Sequence, residues 1–176
     1  MLKPVQALDM DNEPGRRNIY LSRQPQLLSG FSLNRTYTFD SIVRNTLPFA
    51  LSRDTLSGYV EIPALLPGIN FQASDKHPLY SFIAALGVIP DVEYNGVKYD
   101  APTEYQSSGA IGTESAWYPV LNGSPAFRLD LNLPIVPPGP AFSLMLSIGV
   151  RFGTIAEGGT VQQVKHAGSA KVLAMG

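Results

Sequence analysis

A strict alternation runs through the segment Ala141-Phe142-Ser143-Leu144-Met145-Leu146-Ser147-Ile148-Gly149-Val150-Arg151-Phe152. Large apolar side chains occupy every second position from Phe142 to Phe152, and the residues between them are small or polar apart from Met145. Because successive side chains of a strand point to opposite faces, the apolar set would share one face. The pattern predicts a long, half-buried β-strand whose other face meets solvent, a neighbouring subunit or a light covering layer.

The composition agrees with a β protein. The chain has 176 residues, the size of one domain, with 44% hydrophobic and 15% charged residues, which is typical of a globular protein with few surface charges. Its 15 prolines and 16 glycines follow no repeat and would break long helices into many short segments. This composition favours an all-β fold.

Several classes of site and location are disfavoured by what the sequence lacks. It contains no cysteine, which excludes a disulfide framework, a thiolate metal site and a cysteine nucleophile. Met1-Leu2-Lys3-Pro4 does not lead into an apolar signal-peptide core, and no stretch approaches the roughly 18 apolar residues of a membrane span. We expect no cofactor and no membrane span, and a location in the cytoplasm or a virion.

The first part of the chain is irregular and basic. Prolines and glycines interrupt residues 1–30, and basic residues outnumber acidic ones up to residue 53. The sequence predicts an extended N-terminal arm over residues 1–30 that lies on a neighbouring subunit, followed by a single β-sandwich domain over residues 31–176. Arg16, Arg17 and Arg23 are the candidate assembly residues of this arm. The basic excess is too small to predict contact with nucleic acid.

An acidic motif within the arm resembles the start of a calcium loop. Asp9, Asp11 and Glu13 have the right spacing, but Pro14 stands where that loop needs glycine and Tyr20 where it needs a bidentate glutamate. We interpret the motif as a solvated acidic turn.

Strand signals recur through the rest of the chain. Apolar alternation bounded by turn residues predicts strands at residues 31–43, 56–62, 116–121 and 127–133. Pro48 limits residues 47–51 to an edge or irregular position. We expect the proline-rich residues 135–140 to join the last of these strands to the alternating segment in one long hairpin, residues 126–155, and a polar strand or tail to begin near residue 160.

Two segments raise specific questions of structure. Residues 78–89 have helical spacing at Leu79, Phe82, Ile83 and Leu86, yet the apolar run continues past Gly87, and we favour a strand. In the segment Val92-Glu93-Tyr94-Asn95-Gly96-Val97-Lys98-Tyr99, Asn-Gly predicts a two-residue type I′ turn that sets Tyr94 opposite Val97.

Aromatic residues surround a segment without periodicity. Residues 100–115 predict a long loop, and long loops on rigid β scaffolds commonly carry binding specificity. The candidate ligand or interface residues around it are Tyr99, Tyr105, Trp117 and Tyr118. Glu104 and Glu114 flank the same loop and offer a carboxylate pair of the kind that glycoside hydrolysis uses.

The sequence shows no catalytic, cofactor or metal constellation. Its two histidines, His77 in Ser74-Asp75-Lys76-His77-Pro78 and His166 in a polar segment, belong to no metal-binding pattern. We therefore predict that each is a surface residue. A nucleophile elbow and phosphate-binding glycine loops are also missing from the sequence.

About eight to ten short strands suffice for two packed sheets, so the sequence predicts a two-sheet β-sandwich of jelly-roll type. In outline, over residues 31–155, the chain resembles the single jelly-roll capsid proteins of viruses, although no sequence motif carries the likeness. That resemblance implies that loops at the ends of the sandwich and the N-terminal arm make subunit contacts in a shell.

Three functions follow, in order of preference. We expect a non-enzymatic structural subunit that self-assembles as a homo-oligomer or with other shell subunits, because charges are few and catalytic motifs are missing. The alternative is a carbohydrate- or peptide-binding β-sandwich that uses the 100–118 loop. A hydrolase that uses Glu104 and Glu114 comes third.

Overall fold

The structure, a computed structural model, describes residues 3–73 and 76–176. Two four-residue helices occur, α1 (Lys3–Gln6) and α2 (Phe39–Ile42), with 3-10 turns at Leu21–Arg23, Pro25–Leu28 and Thr103–Tyr105. The strands are β1 (Phe49–Ser52), β2 (Ser57–Ile62), β3 (Leu79–Pro90), β4 (Glu93–Tyr94), β5 (Tyr99–Asp100), β6 (Ala110–Glu114), β7 (Tyr118–Pro119), β8 (Phe127–Asn132), β9 (Phe142–Ile155) and β10 (Val161–Met175).

Eight of the described strands form two antiparallel sheets that pack face to face, and β4 and β5 form a separate two-stranded hairpin. The smaller sheet has the order β1-β2-β8, and the larger has the order β10-β9-β3-β6, with β7 also paired to β3. Apolar residues from both sheets fill one core between them. The predicted all-β sandwich is confirmed, and its jelly-roll type stays a prediction.

Strand β9 lies at the centre of the larger sheet, between β3 and β10. Its alternating apolar residues all face the core, and none is more than 6% exposed. On the opposite face, Ser143 is fully buried and the 3-10 turn Leu21–Arg23 contacts the strand. The first residues of β9 therefore have the light covering layer that was one of the three expectations.

Residues 79–90 form strand β3, which confirms the preferred interpretation. Tyr80, Phe82 and Leu86 are fully buried on the core face, while Leu79 and Ile83 are half-buried on the other. Because the second face of β3 is also partly covered, apolar residues occur on both faces and obscure the period of two. The resulting apolar run of β3 therefore also has the spacing that is expected of a helix.

Two strand predictions are wrong, and a third is confirmed only in part. Residues 31–43 contain the short helix α2 and form isolated bridges, from Ser32 to Lys171 of β10 and from Val43 to Phe71, in place of a strand. The strand expected at residues 116–121 is limited to β7. The expected hairpin over residues 126–155 does not form, because β8 pairs with β2 in the smaller sheet and β9 pairs with β3 in the larger. The proline-rich connector crosses between sheets instead of turning within one.

The β4–β5 hairpin forms with a different register from the predicted one. Tyr94 pairs with Tyr99 rather than with Val97. The Asn95 side-chain oxygen accepts hydrogen bonds from the amides of Val97 and Lys98, both at 3.0 Å. Gly96 alone of the Asn-Gly pair has a positive φ, of 97°. The asparagine side chain thus closes a longer loop, in place of the two positive-φ residues of a type I′ turn.

The N-terminal segment packs against the sandwich of its own chain. Its buried residues Val5, Ile19 and Leu21 form a second small core, against which Ile89 and Val92 pack. Ile19 and Val92 exchange two backbone hydrogen bonds, of 2.9 and 3.0 Å. Residues 3–24 thus cover one end of the larger sheet, and their predicted contact with a neighbouring subunit stays a prediction.

Asp9 organises the turn that begins the acidic motif. Its side chain is only 1% exposed and accepts backbone hydrogen bonds from Asn18 at 2.7 Å and from Asp11 at 3.0 Å. The bond from Asn18, with those from Asn12 and Asp11, holds the pKa of Asp9 below its usual value, against the opposing effect of burial. The predicted solvated turn is wrong for this carboxylate, which is a structural anchor.

Candidate functional site

The two ends of the sandwich differ in what lies over them. At the covered end, β3 finishes beside the start of β9, and residues 3–24 pack there. At the opposite end, which we call the open end, a loop of residues 63–72 follows β2 and a loop of residues 120–126 precedes β8. The start of β3 and the tip of the β9–β10 hairpin lie at the open end too.

The two loops of the open end are fastened to each other. Leu65 and Ser124 exchange backbone hydrogen bonds of 2.9 and 3.2 Å. Gly123 has a φ of 71°, and a Cβ added to it would lie 1.8 Å from the carbonyl oxygen of Leu65. Only glycine fits this close approach, so the sequence itself holds the loops in one arrangement.

Large aliphatic side chains on these loops are exposed. Leu66 is 50% exposed, Ile69 70% and Leu121 83%, and we call these three residues the apolar end patch. Between residues 62 and 73, and between residues 115 and 127, the chain has no Asp, Glu, Lys, Arg or His. Exposed apolar residues grouped on an uncharged surface are typical of an interaction site.

A larger cavity, of about 540 Å³, adjoins the patch. We call it the histidine cavity, because both histidines of the chain line it. Its lining residues are Tyr37, Ser41, Ile42, Gln72, Ala73, Lys76, His77, Phe152, His166, Ala167 and Gly168. Gln72 and Ala73 also line a small cleft of about 190 Å³ between the two loops, so the cavity and the patch are neighbours.

A wide bulge in β10 shapes one wall of the cavity. Gln163 pairs with Gly153 and Gly168 with Arg151, so residues 164–167 stand opposite Phe152 alone. His166 has a φ of 61°, and Gly168 a φ of 126° with only 2.4 Å between an added Cβ and the carbonyl oxygen of Val150. The bulge takes His166 out of the strand ladder and places it on the rim of the cavity.

The other walls of the histidine cavity contain both aromatic and polar side chains. The ring of His77 packs against that of Phe152, with 5.8 Å between centroids. Tyr37 is 66% exposed, whereas Ile42 is 7% exposed. His166 is exposed, as predicted for a surface residue, His77 is half-buried, and both line one cavity. Ser74 and Asp75, which precede His77 in the segment Ser74-Asp75-Lys76-His77-Pro78, lie outside the described residues.

A groove of about 450 Å³ on the smaller sheet is a weaker candidate. Its Arg128 lies over the ring of Tyr59, 3.6 Å from the centroid, and its Nε donates to Asp130 at 2.7 Å. The charged group is thus already engaged by neighbours within the sheet.

Tyr99 and Tyr105 each serve a structural contact. Tyr105 is 4% exposed and its hydroxyl accepts a hydrogen bond from the Ala141 amide at 3.1 Å. The Tyr99 hydroxyl accepts from Gln6 Nε2 at 2.7 Å and donates to the Arg17 carbonyl at 3.0 Å. Tyr99 therefore fastens the N-terminal segment to the β4–β5 hairpin.

Trp117 and Tyr118 pack in different surroundings. Trp117 lies against Gly153, where an added Cβ would be 2.8 Å from the indole, and the Arg151 guanidinium lies 4.9 Å from its ring centroid. Tyr118 stacks on Phe127 with 5.5 Å between centroids. The four predicted aromatic residues thus make separate packing contacts, and the 100–118 ligand site stays a prediction.

The two predicted acids, Glu104 and Glu114, lie in different surroundings. Glu114 forms a bidentate ion pair with Arg151, with 2.9 Å from Nη1 to Oε1, while Glu104 is exposed in the 3-10 turn at Thr103–Tyr105. Part of the predicted 100–115 loop is in fact strand β6. A carboxylate that forms an ion pair with an arginine is better suited to a structural role than to proton transfer.

The arm arginines have short-range contacts. Arg17 Nε donates to the Asn12 carbonyl at 3.3 Å, Arg23 lies 4.2 Å from the ring centroid of Tyr20, and the backbone amide of Arg16 donates to the Glu13 carbonyl at 2.9 Å. Their predicted role in assembly is neither supported nor opposed by these contacts.

Residues 3–73 and 76–176 contain no group of three His, Asp or Glu side chains placed to hold a metal ion. Within the same ranges, none of the helices is long and apolar enough to cross a membrane. Comparisons with protein-family models, with curated proteins and with solved structures found no match for this chain.

Proposed function

We propose that this protein is a non-enzymatic structural subunit that self-associates through the apolar end patch. The observation that carries the proposal is the exposure of Leu66, Ile69 and Leu121, at 50–83%, on loops without a charged residue. Burying aliphatic surface contributes about 25 cal/mol per Å², so an exposed group of this kind favours association.

A second copy of the chain suits this surface better than a charged partner or membrane. Across a twofold axis, a patch faces its own copy, so a charge close to the axis meets a like charge. The uncharged loops avoid that repulsion. Cores of homodimer interfaces are in turn more apolar than other surfaces and depleted of charge.

The rigid attachment of the two loops also supports the proposal. A preorganised surface loses less conformational entropy on association than a mobile one does. The Leu65–Ser124 hydrogen bonds and the close approach at Gly123 fix the patch before any partner arrives.

The resemblance to capsid proteins extends the proposal to closed shells. Sandwich ends are where such subunits would meet, and the open end is one of them. Regular particles in electron micrographs of assembled fractions would support a shell, whereas dimers or short oligomers would restrict the proposal to self-association.

Light scattering over a range of concentrations tests the proposal. The variant Leu121→Asp should lower the mass of the assembled species, because each interface would bury a charge beside its symmetry copy. Val136→Asp is the matched control, since Val136 is 79% exposed at the covered end against 83% for Leu121. A wild-type monomer at all concentrations, or equal effects of the two variants, would contradict the proposal.

A further inference from the structure

We propose that Asn95 is a self-modification site, which reacts with the amide of Gly96 and with water and becomes aspartate or isoaspartate. The chain contains two Asn-Gly pairs, Asn95-Gly96 and Asn122-Gly123. Glycine has no side chain to obstruct the approach of its amide nitrogen to the preceding asparagine, so both pairs have the composition for this reaction. Their surroundings differ, and only those of Asn95 favour it. This inference does not depend on self-association.

The reaction is an intramolecular acyl transfer that consumes water. A hydroxide ion removes the proton of the Gly96 amide, and the nitrogen forms a bond to Cγ of Asn95. The bond from Cγ to Nδ2 then breaks, and ammonia leaves with a proton from water. Water opens the resulting cyclic imide at either carbonyl, which gives aspartate or isoaspartate. Nucleophile and carbonyl belong to adjacent residues, so no second molecule has to be positioned for the first bond to form.

The contacts of the Asn95 side chain favour the tetrahedral intermediate. Its Oδ1 accepts from the amides of Val97 and Lys98, both at 3.0 Å, and this oxygen gains negative charge when the nitrogen attacks Cγ. Acyl-transfer enzymes stabilise such an oxyanion with backbone donors of this kind. Nδ2 donates to Asp100 Oδ2 at 2.7 Å, and this bond strengthens as the leaving nitrogen becomes positively charged. Contacts that are stronger in the intermediate than in the starting amide lower the barrier.

The attacking nitrogen is accessible. Asn95 and Gly96 are exposed, and the Gly96 amide donates to no acceptor among the described residues. The bond from the Val97 amide to Oδ1 closes a turn in which the asparagine side chain folds back over its own backbone. This turn keeps Cγ beside the peptide that has to attack it.

The second pair, Asn122-Gly123, is held in an unreactive arrangement. Gly123 is buried, and its amide donates to the Pro119 carbonyl at 3.2 Å. An added Cβ would lie 1.8 Å from the Leu65 carbonyl oxygen, which shows that this backbone has no room to shift. Attack by the Gly123 nitrogen would require the loss of its hydrogen bond and the separation of the open-end loops.

Modification of Asn95 would loosen the cover that the N-terminal segment gives to the sandwich. The new carboxylate would lie beside that of Asp100, and two like charges at this separation repel. Isoaspartate also adds a carbon atom to the backbone and disturbs the β4–β5 register. Because the Tyr99 hydroxyl contacts Gln6 and Arg17, the hairpin would lose part of its hold on that segment.

Peptide mapping by mass spectrometry tests the site, with the second Asn-Gly pair as an internal control. Native protein is incubated at mildly alkaline pH, and a second sample in urea gives the rates of the unfolded chain. In the native protein Asn95 should convert at least about tenfold faster than Asn122, a smaller factor than the loss of one oxyanion donor causes in enzymes. Equal native rates, or a slower reaction of Asn95 in the native protein than in urea, would overturn the proposal.

A pair of variants tests the contact with Asp100. Asp100→Asn should slow the conversion of Asn95 at least about threefold, since a hydrogen bond to a charged group is worth more than one to a neutral group. Glu93→Gln removes the same charge from the position paired with Asp100 and should change the rate by less than about twofold. Equal effects, or a faster reaction in Asp100→Asn, would contradict the proposal.

Hydrogen exchange tests the consequence for the N-terminal segment. In converted protein the Ile19 amide, which donates to Val92, should exchange at least about threefold faster than in fresh protein. The Ser124 amide at the open end, which donates to Leu65, is the control and should keep its rate. Unchanged exchange at Ile19, or equal acceleration at both amides, would contradict a local loosening of the cover.

Discussion

The covered and open ends of the sandwich leave their apolar residues in different surroundings. At the covered end, Ile89 and Val92 lie under Val5, Ile19 and Leu21 of the N-terminal segment. At the open end, Leu66, Ile69 and Leu121 remain exposed. The chain supplies its own cover at one end, and at the other end the same type of side chain is left exposed.

The cover that the N-terminal segment gives to the covered end is local rather than complete. Val136 lies in the connector between β8 and β9 at the covered end and is 79% exposed. The difference between the ends therefore lies in the grouping of exposed residues on two joined loops. A single exposed valine is ordinary in a soluble protein.

The largest expected effect concerns the joint between the open-end loops. Gly123→Ala places a Cβ 1.8 Å from the Leu65 carbonyl oxygen in addition to straining a φ of 71°, and we expect a loss of about 3 kcal/mol or more in the free energy of unfolding. Gly68→Ala is the control, because its φ is 76° but nothing lies within 4 Å of an added Cβ. It should cost about 1 kcal/mol. Equal costs in urea denaturation would show that the loops can separate freely.

The same substitution at both ends tests the comparison itself. Ile19→Ala removes a side chain that is 6% exposed, and burial of this kind makes the truncation cost about 2–4 kcal/mol of unfolding free energy. Ile69→Ala removes one that is 70% exposed, and in the monomer it should change stability by less than about 0.5 kcal/mol. Measurement at low concentration separates folding from association. A large cost at Ile69 under those conditions would mean that the open end is packed rather than exposed.

The sequence predicted strands β9 and β8 because their patterns are local. In both strands a period of two coincides with burial on one face, as at Leu144 and Leu129. The same alternation misled at residues 31–39, where Leu33 and Tyr37 are 63% and 66% exposed. The backbone of this segment runs beside the edge of β10 and forms few strand pairs with it. Pairing of this kind depends on tertiary position rather than on the local sequence pattern.

The candidate sites were largely out of reach of sequence reasoning. His77 and His166 are far apart along the chain. They line the same cavity because β3, β9 and β10 are adjacent and β10 carries a bulge. Gly168 after a polar segment was the only local signal of that bulge. The aromatic residues around Trp117, by contrast, are close together in the sequence, but in the structure they make separate packing contacts.

A smaller effect is expected at acid pH from the covered end. The pKa of Asp9 is lower in the folded protein than its usual value of 3.8, so its carboxylate contributes stability that is present above about pH 4 and lost as the pH falls through the lowered value. Asp9→Asn should destabilise the protein at pH 7, and its difference from wild type should shrink at lower pH. Asp11→Asn, in the same turn with an exposed side chain, is the control and should leave stability nearly unchanged. A constant difference between wild type and Asp9→Asn across that range would contradict the assignment.

The smallest effect is expected at alkaline pH beneath the open end, where Tyr80 is fully buried and packs on Phe71 with 4.3 Å between ring centroids. Burial is the main cause that raises the pKa of Tyr80 above its usual value of 10.0. The unfolded chain then loses this proton first as the pH rises, so stability falls from about pH 10 upward. Tyr80→Phe should reduce that fall in thermal unfolding, whereas Tyr37→Phe, at a residue that is 66% exposed, should not. An equal alkaline fall in wild type and Tyr80→Phe would mean that solvent reaches the hydroxyl, and that the open end is less tightly packed below its surface than the Phe71 contact indicates.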